Sequence, residues 1–200
     1  SMNITDICNI ALNHIGKEMI TSFNEESEAA RTCKMHYDLQ RKVLLRAYTW
    51  SFAAKTVRLP LLAESIPGWD YVYAYPPDCV MARKIFNEET TEDVLEHNLK
   101  GNVDQILLND NTKAIVSNYK NAFLQYTYDA KDANLFPADF SQALSYYLAS
   151  AIAIPLTGSA ALSQQMLQLG SNILAESKFT MMDERHRTPE YPCNYLKARW

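Results

Sequence analysis

Glycine is scarce in this chain, with five in 200 residues beside eight prolines. That leaves little material for a fibrous or disordered protein and almost none for a loop that cradles phosphate. None of G-x-S-x-G, G-x-x-x-x-G-K-[ST] or G-x-G-x-x-G occurs. The cysteines Cys8, Cys33, Cys79 and Cys193 are scattered, without a C-x-x-C pair. Their spacing points to free thiols in a reducing compartment, with Cys8 and Cys33 acting as small hydrophobes on helix faces. An excess of positive charge is also missing. Nineteen Lys and Arg against 23 Asp and Glu leave a formal net charge of −4, and the pI is near 5.6. Both argue against a protein that grips nucleic acid through its phosphates. The longest apolar stretch, Tyr146 to Leu156, contains Pro155 and falls short of the ~18–20 residues of a membrane span. No basic segment followed by an apolar one opens the sequence, so neither a signal peptide nor membrane attachment is expected, and synthesis in the cytoplasm is.

What is present is an ordinary globular composition, 48% hydrophobic and 21% charged, in the length of one domain or one domain with an insertion. Ile4, Ile7, Cys8, Ala11, Leu12 and Ile15 repeat as one helix face, so a first helix is expected from about Asn3 to His14. Asn3 or Thr5 can cap it, and Gly16 can stop it. A longer helix follows the loop at Thr21–Asn24, with Glu25, Glu26 and Glu28 in its first turn and Ala30, Cys33, Tyr37, Leu44, Leu45 and Tyr48 on its apolar face. Two helices joined by a short loop predict an antiparallel hairpin.

Between Trp50 and Tyr128 the period changes. Tyr71, Tyr73 and Tyr75 alternate with Val72 and Ala74, which predicts a half-buried strand. Val103–Leu108, Ala114–Tyr119 and Phe123–Tyr128 are short apolar runs parted by turn residues, which predict a small antiparallel meander. Asn87–Gly101 is charged and patternless, and reads as an exposed loop at a hairpin tip. Helical periodicity returns at Pro137, with a stripe of Phe140, Ala143, Leu144, Tyr147, Leu148, Ala151 and Ile152 that Pro155 kinks or ends. Ala160 to about Asp183 is the expected fourth helix, burying Leu162, Met166, Leu169, Ile173 and Phe179. The fold class read from this pattern is α+β, mainly helical. Residues 1–50 form a helical hairpin and 131–185 two further helices of the same bundle. Residues 51–130 are a β-rich wing inserted between them, and 186–200 an extended tail.

Chemistry is sparse. His14, His36, His97 and His186 make no H-x-x-x-H pair and have no cysteines at zinc spacing, so no metal or cofactor site is expected. His14 in a last helical turn reads as a partner of the helix dipole. Glu88, Glu89, Glu92, Asp93 and Glu96 could be offered as a carboxylate pair, but in a loop they read as a solvated face. The alternating tyrosines could stack nucleobases, yet Asp70, Val72 and Ala74 stand where such a platform carries cations, which favours packing against the helices. The tail resists a bland reading. Arg187, Tyr191, Tyr195, Lys197, Arg199 and Trp200 are of the types enriched in interface hot spots, so ordering on a partner is expected there.

Several stretches, in order, resemble the tail tubular protein A family, the head-to-tail adaptors of short-tailed bacteriophages. They are Met2 through Leu12 to Ile15-Gly16, Glu28-Ala29-Ala30-Arg31-Thr32-Cys33, and Leu44-Leu45-Arg46 leading to Thr49-Trp50-Ser51-Phe52-Ala53. Next come Pro67 to Cys79, Phe136-Pro137-Ala138-Asp139-Phe140, and Ala153-Ile154-Pro155-Leu156-Thr157-Gly158. The ending Tyr195-Leu196-Lys197-Ala198-Arg199-Trp200 is similar to the family's aromatic-x-x-Ala-Arg terminus, whereas Asn87–Gly101 departs from its pattern. Each stretch is a packing signature, and their order carries the likeness. The resemblance implies a non-enzymatic virion protein of the head-tail junction. It would form a ring of twelve copies, contacting itself, the portal protein and the tail nozzle (tail tubular protein B-like), while DNA passes through without specific binding. It also implies that the tail docks on the portal, with Tyr195, Arg199 and Trp200 as anchors. A small phage hydrolase acting on cell wall or nucleic acid is the alternative, and a DNA-packaging factor a further one.

Overall fold

The structure is a computed structural model and describes residues 1–89, 93–94 and 102–186; for 93–94 and 181–186 it describes the backbone alone. The first helix, α1 (Ile4–His14), starts on a capping box in which Asn3 Oδ1 accepts from Asp6 N at 2.9 Å and Asp6 Oδ2 accepts from Asn3 N at 3.0 Å. Thr5 is not the cap: its Oγ1 accepts from Phe23 N at 3.1 Å, while Asn9 exchanges two hydrogen bonds with the Ile20 backbone. The connecting loop is thereby strapped along α1. The second helix, α2 (Glu28–Ala47), begins later than expected, because Ser27 caps it. Glu25 precedes the helix and accepts from Thr21 N, Ser22 N and Ser27 Oγ, which holds the turn that launches it.

Among the described residues, the chain then crosses seven short strands before α3 (Ala138–Thr157) and α4 (Ala160–His186). Pro155 lies in the last turn of α3 without breaking it, and Gly158, at φ +72°, supplies the left-handed stop. All four helices share one core, to which Ile7 and Leu12, Cys33 and Leu44, Phe140 and Leu148, and Met166 and Leu174 contribute in turn. Helix α3 is its centre. The expected hairpin partners α1 and α2 touch each other little, and each packs chiefly on α3. Trp50, fully buried, meets Phe140 edge-on at 5.0 Å and donates to Leu44 O at 3.0 Å, which seals the end of α2. Gly170 lets α4 press close, since a Cβ there would stand 3.3 Å from Tyr146 Cβ. One residue of the expected α4 stripe is wrong: Phe179 is 72% exposed, and Leu174 and Ser177 are buried instead. At ~100° per residue Phe179 lies about 240° round the helix from Ile173, on the far side.

The strands are β1 (Ala54–Arg58), β2 (Tyr71–Ala74), β3 (Cys79–Phe86), β4 (Asp93–Val94), β5 (Val103–Leu107), β6 (Lys113–Ser117) and β7 (Phe123–Tyr128). They form two antiparallel sheets, ordered β1-β7-β3-β4 and β2-β6-β5. The expected meander is therefore half right. The β5–β6 hairpin exists, closing through Asn111 at φ +63°, but β7 leaves for the other sheet. The reason lies in burial: β6 and β7 are each central strands, buried between two neighbours, and a single three-stranded meander has room for only one. Tyr73, Val103 and Ile115 pack across to Ala82, Ile85, Leu124 and Tyr126, so the two sheets share a core. Tyr71, Tyr73 and Tyr75 belong to this inter-sheet core and not, as the sequence suggested, to a contact with the helices. Leu62, Ile66 and Trp69 cover the outer face of the second sheet, where Val72, Ala114 and Val116 point. Of the expected loop at Asn87–Gly101, residues 90–92 and 95–101 lie outside the described residues. The fold is α+β with helix dominating, and among the described residues no helix is long and apolar enough to cross a membrane.

Candidate functional surfaces

The predicted partner-contact residues Arg187, Tyr191, Tyr195, Lys197, Arg199 and Trp200 all lie outside the described residues, just beyond the end of α4. Of the candidates for chemistry, His14 is held in an unexpected way. Its ring stacks on Tyr146 at 4.0 Å and 9°, and its Nε2 stands 3.2 Å from Ser145 Oγ. It does lie in the last turn of α1, and burial lowers its pKa, which favours the neutral ring in this contact. His36 is half-buried on α2. His97 and the His186 side chain lie outside the described residues, as do Glu92, Glu96 and the Asp93 side chain; Glu88 and Glu89 are exposed. Among the described residues no group of three or more His, Cys, Asp or Glu is arranged to hold a metal ion.

Cys8 and Cys33 are both fully buried where α1 meets α2. The hydrogen bond that the Cys8 thiol shares with Cys33, together with burial, pushes the Cys8 thiol well above its ordinary range. The same hydrogen bond lowers the pKa of Cys33, but both side chains are 0% exposed within the helical core, out of reach of a substrate or metal, so this pair acts as core. Cys79 is half-buried and donates to Tyr75 Oη at 3.2 Å, and burial raises its pKa too.

Two buried arginines, which the sequence did not single out, join the strands to the helices. Arg41 on α2 is 1% exposed and donates to Asp129 Oδ1 at 2.6 Å and to Ala130 O at 2.8 Å, just past the end of β7. Arg83 on β3 donates to Thr127 Oγ1 at 3.1 Å and, through Nη2, to the carbonyls of Leu45, Arg46 and Tyr48. A guanidinium thus satisfies the last carbonyls of α2, where the helix dipole favours a cation. Lys55 bridges to Asp78 at 2.8 Å, and Asp78 also accepts from Tyr126 Oη at 2.7 Å. The Lys55 and Tyr126 bonds outweigh the burial that opposes them and hold the Asp78 carboxyl below its usual range.

Among the described residues, three surfaces stand out as open to a partner. On α2, Met35, Leu39 and Val43 recur at i, i+4 and i+8 and are 75%, 60% and 46% exposed, an apolar stripe facing solvent. On α3 and α4, no charged residue occurs from Phe140 to Ala175, and the exposed side of α4 offers Gln164, Gln165, Leu167, Gln168, Ser171 and Asn172. At the far end of the strands, two adjoining grooves of about 370 and 300 Å³ share Arg58, Lys120 and Asn121. The α2 stripe could have been found in the sequence as a second apolar face, whereas the groove draws on segments far apart in the chain. Set against known proteins, the sequence matches no protein-family model and no curated protein.

Proposed function

We propose that this chain is a structural head-to-tail connector subunit of a bacteriophage or prophage, a non-enzymatic ring component that joins capsid to tail and passes DNA. The observation that carries the reading, beside the ordered resemblance to the tail tubular protein A family, is a pair of unlike bare faces on one subunit. The apolar stripe of Met35, Leu39 and Val43 on α2 is one, and the outer side of the first sixteen residues of α4, Ala160 to Ala175, which carries no charge, is the other. A ring contact is heterologous, so each copy must offer two different matching surfaces. Apolar residues and a lack of charge are what the buried centre of an interface selects. In this reading the helices of neighbouring subunits pack side by side as a bundle, and the strands project as a wing. The tail that follows α4 docks on the portal through Arg187, Tyr191, Tyr195, Lys197, Arg199 and Trp200. The tail nozzle binds the opposite end of the ring, and the site of action is the head-tail junction of the virion.

Light scattering on the purified protein, alone and mixed with a portal ring from the same genome, tests this. The expected result is a species of 22.8 kDa alone that joins the portal in twelve copies. A variant lacking residues 187–200 should keep its fold and fail to join. A mass unchanged by the portal with the tail intact would overturn the proposal.

A further inference from the structure

The groove at the far end of the strands brings together what the sequence kept apart. Its walls are Arg58 at the end of β1, Leu59, Pro60 and Leu61 just after it, Tyr71 and Tyr73 on β2, and Lys120 and Asn121 in the turn between β6 and β7. The tyrosine alternation carries no cation within its own strand. The fold supplies two from neighbouring segments and sets them in one groove with Tyr71 and Tyr73.

The arrangement is built and held. The Tyr73 hydroxyl donates to Tyr119 O and accepts from Ala122 N at 3.4 Å, so β2 pins both ends of the turn that bears Lys120 and Asn121. Leu59 N donates to Ala122 O at 2.9 Å, which fixes Arg58 beside that turn, and Asn87 Nδ2 donates to Lys120 O at 3.1 Å from the other side. Asn121 sits at φ +53°. Tyr71 is backed by Tyr73, with ring centroids 6.0 Å apart at 28°. Arg58 and Lys120 are exposed, and among the described residues neither has an ion-pair partner within 4.0 Å. Leu61, 64% exposed, adds an apolar wall. Glu88 and Glu89 line the adjoining groove together with both cations, and neither comes within 4.0 Å of them.

An aromatic ring with an apolar wall suits the face of a nucleobase. Two unpaired cations suit a phosphate, and a side-chain amide suits a base edge. We propose that this groove binds a nucleoside phosphate unit of single-stranded nucleic acid, with a base against Tyr71 and the backbone phosphates at Arg58 and Lys120. Duplex DNA keeps its bases stacked and cannot offer the face that Tyr71 requires. Two phosphate contacts make a weak site, in keeping with an acidic protein. The proposal is independent of the connector reading, and either can fail alone.

Fluorescence anisotropy of a labelled oligothymidylate of about ten residues tests it on the full chain. With two phosphates neutralised, log affinity should fall with log salt at a slope of about −1.4, so binding weakens roughly sevenfold between about 50 and 200 mM salt. The R58A/K120A variant, altered only at exposed positions, should lose binding and keep its melting curve. Tyr71→Leu should weaken binding on the order of tenfold with the salt slope unchanged. The single strand should bind more tightly than thymidine monophosphate; the reverse order would overturn the strand as ligand and assign the groove to a free nucleotide. No binding at low salt, binding untouched in R58A/K120A, or equal affinity for a duplex of the same length would overturn the site.

Discussion

Removing the carboxylate of Asp129 should cost this protein more than removing the arginine it holds. The Arg41 guanidinium is 1% exposed, and its close partners are Asp129 Oδ1 and Ala130 O; Asp38, at 3.4 Å, has its side chain 77% in solvent. In Asp129→Ala a buried cation keeps one carbonyl and the longer, solvent-screened bond from its Nε to Asp38 Oδ1 at 3.4 Å. Breaking a buried pair in this way costs ~3–5 kcal/mol, and because Asp129 is itself 19% exposed the lower end, ~3 kcal/mol, applies. For a chain of this size that lowers the melting temperature by about 6–12 °C. Arg41→Met instead leaves a carboxylate that already reaches water and lies 3.8 Å from Lys131 Nζ, while the methionine fills the hole. Its cost should be ~1 kcal/mol. The double variant should melt near Arg41→Met alone, because nothing charged is then stranded. Thermal melts followed by circular dichroism, with urea midpoints as a second reading, measure all three. An Asp129→Ala no worse than Arg41→Met, or costs that simply add, would refute the reasoning.

Gly170→Val should destabilise by ~1–3 kcal/mol, since its Cβ would stand 3.3 Å from Tyr146 Cβ and its methyl groups would push α4 off α3; a melt reads it directly. His14 should titrate below the 6.5 of an ordinary imidazole when followed by NMR. Its folded pKa is depressed, so the unfolded chain takes up the proton first. The stability it contributes is present above pH 6.5 and is lost progressively as pH falls from there through its lowered folded pKa, an arm that His14→Gln should flatten.

The helices were legible because their burial follows a 3.6-residue period that few side chains violate. Where a violation occurs the reading fails in an instructive way. Arg41 lies on the buried face of α2 between Tyr37 and Leu44, but a charge in a helix reads as solvent-facing until its partner is known, and Asp129 is 88 residues away. Phe179 erred in the opposite sense, an aromatic residue read as continuing the apolar stripe of α4 although its six-residue spacing from Ile173 breaks the helical period. The strands were harder. β1, with its burial alternating only weakly, and β3, with two register shifts against β7, carry no clean period of two and went unrecognised. Alternation located β2 and yet could not say which layer its tyrosines would meet, because sheet pairing is decided between segments and not within them. Of the candidate site, the tail residues were visible by composition. The Arg58–Tyr71–Lys120 groove was not, since its parts are 13 and 49 residues apart in a row that shows no proximity.

The central place of α3 has a consequence for how the chain is made. Helix α2 ends at Ala47 and α3 begins at Ala138, with 90 residues (48 to 137) between them. At ~5–20 residues per second, translation takes roughly 5–18 s to cover that distance. For those seconds the face of α2 that packs on α3 has left the ribosome without the surface it is shaped to meet. The seven strands are meanwhile all synthesised, so they can fold while the two amino-terminal helices are still waiting. Arg41 gains Asp129 and Ala130 only when β7 is complete, shortly before α3 emerges. Assembly of the helical core is thus timed from its last third, and the nascent chain is most exposed to chaperones and to aggregation in the interval before it.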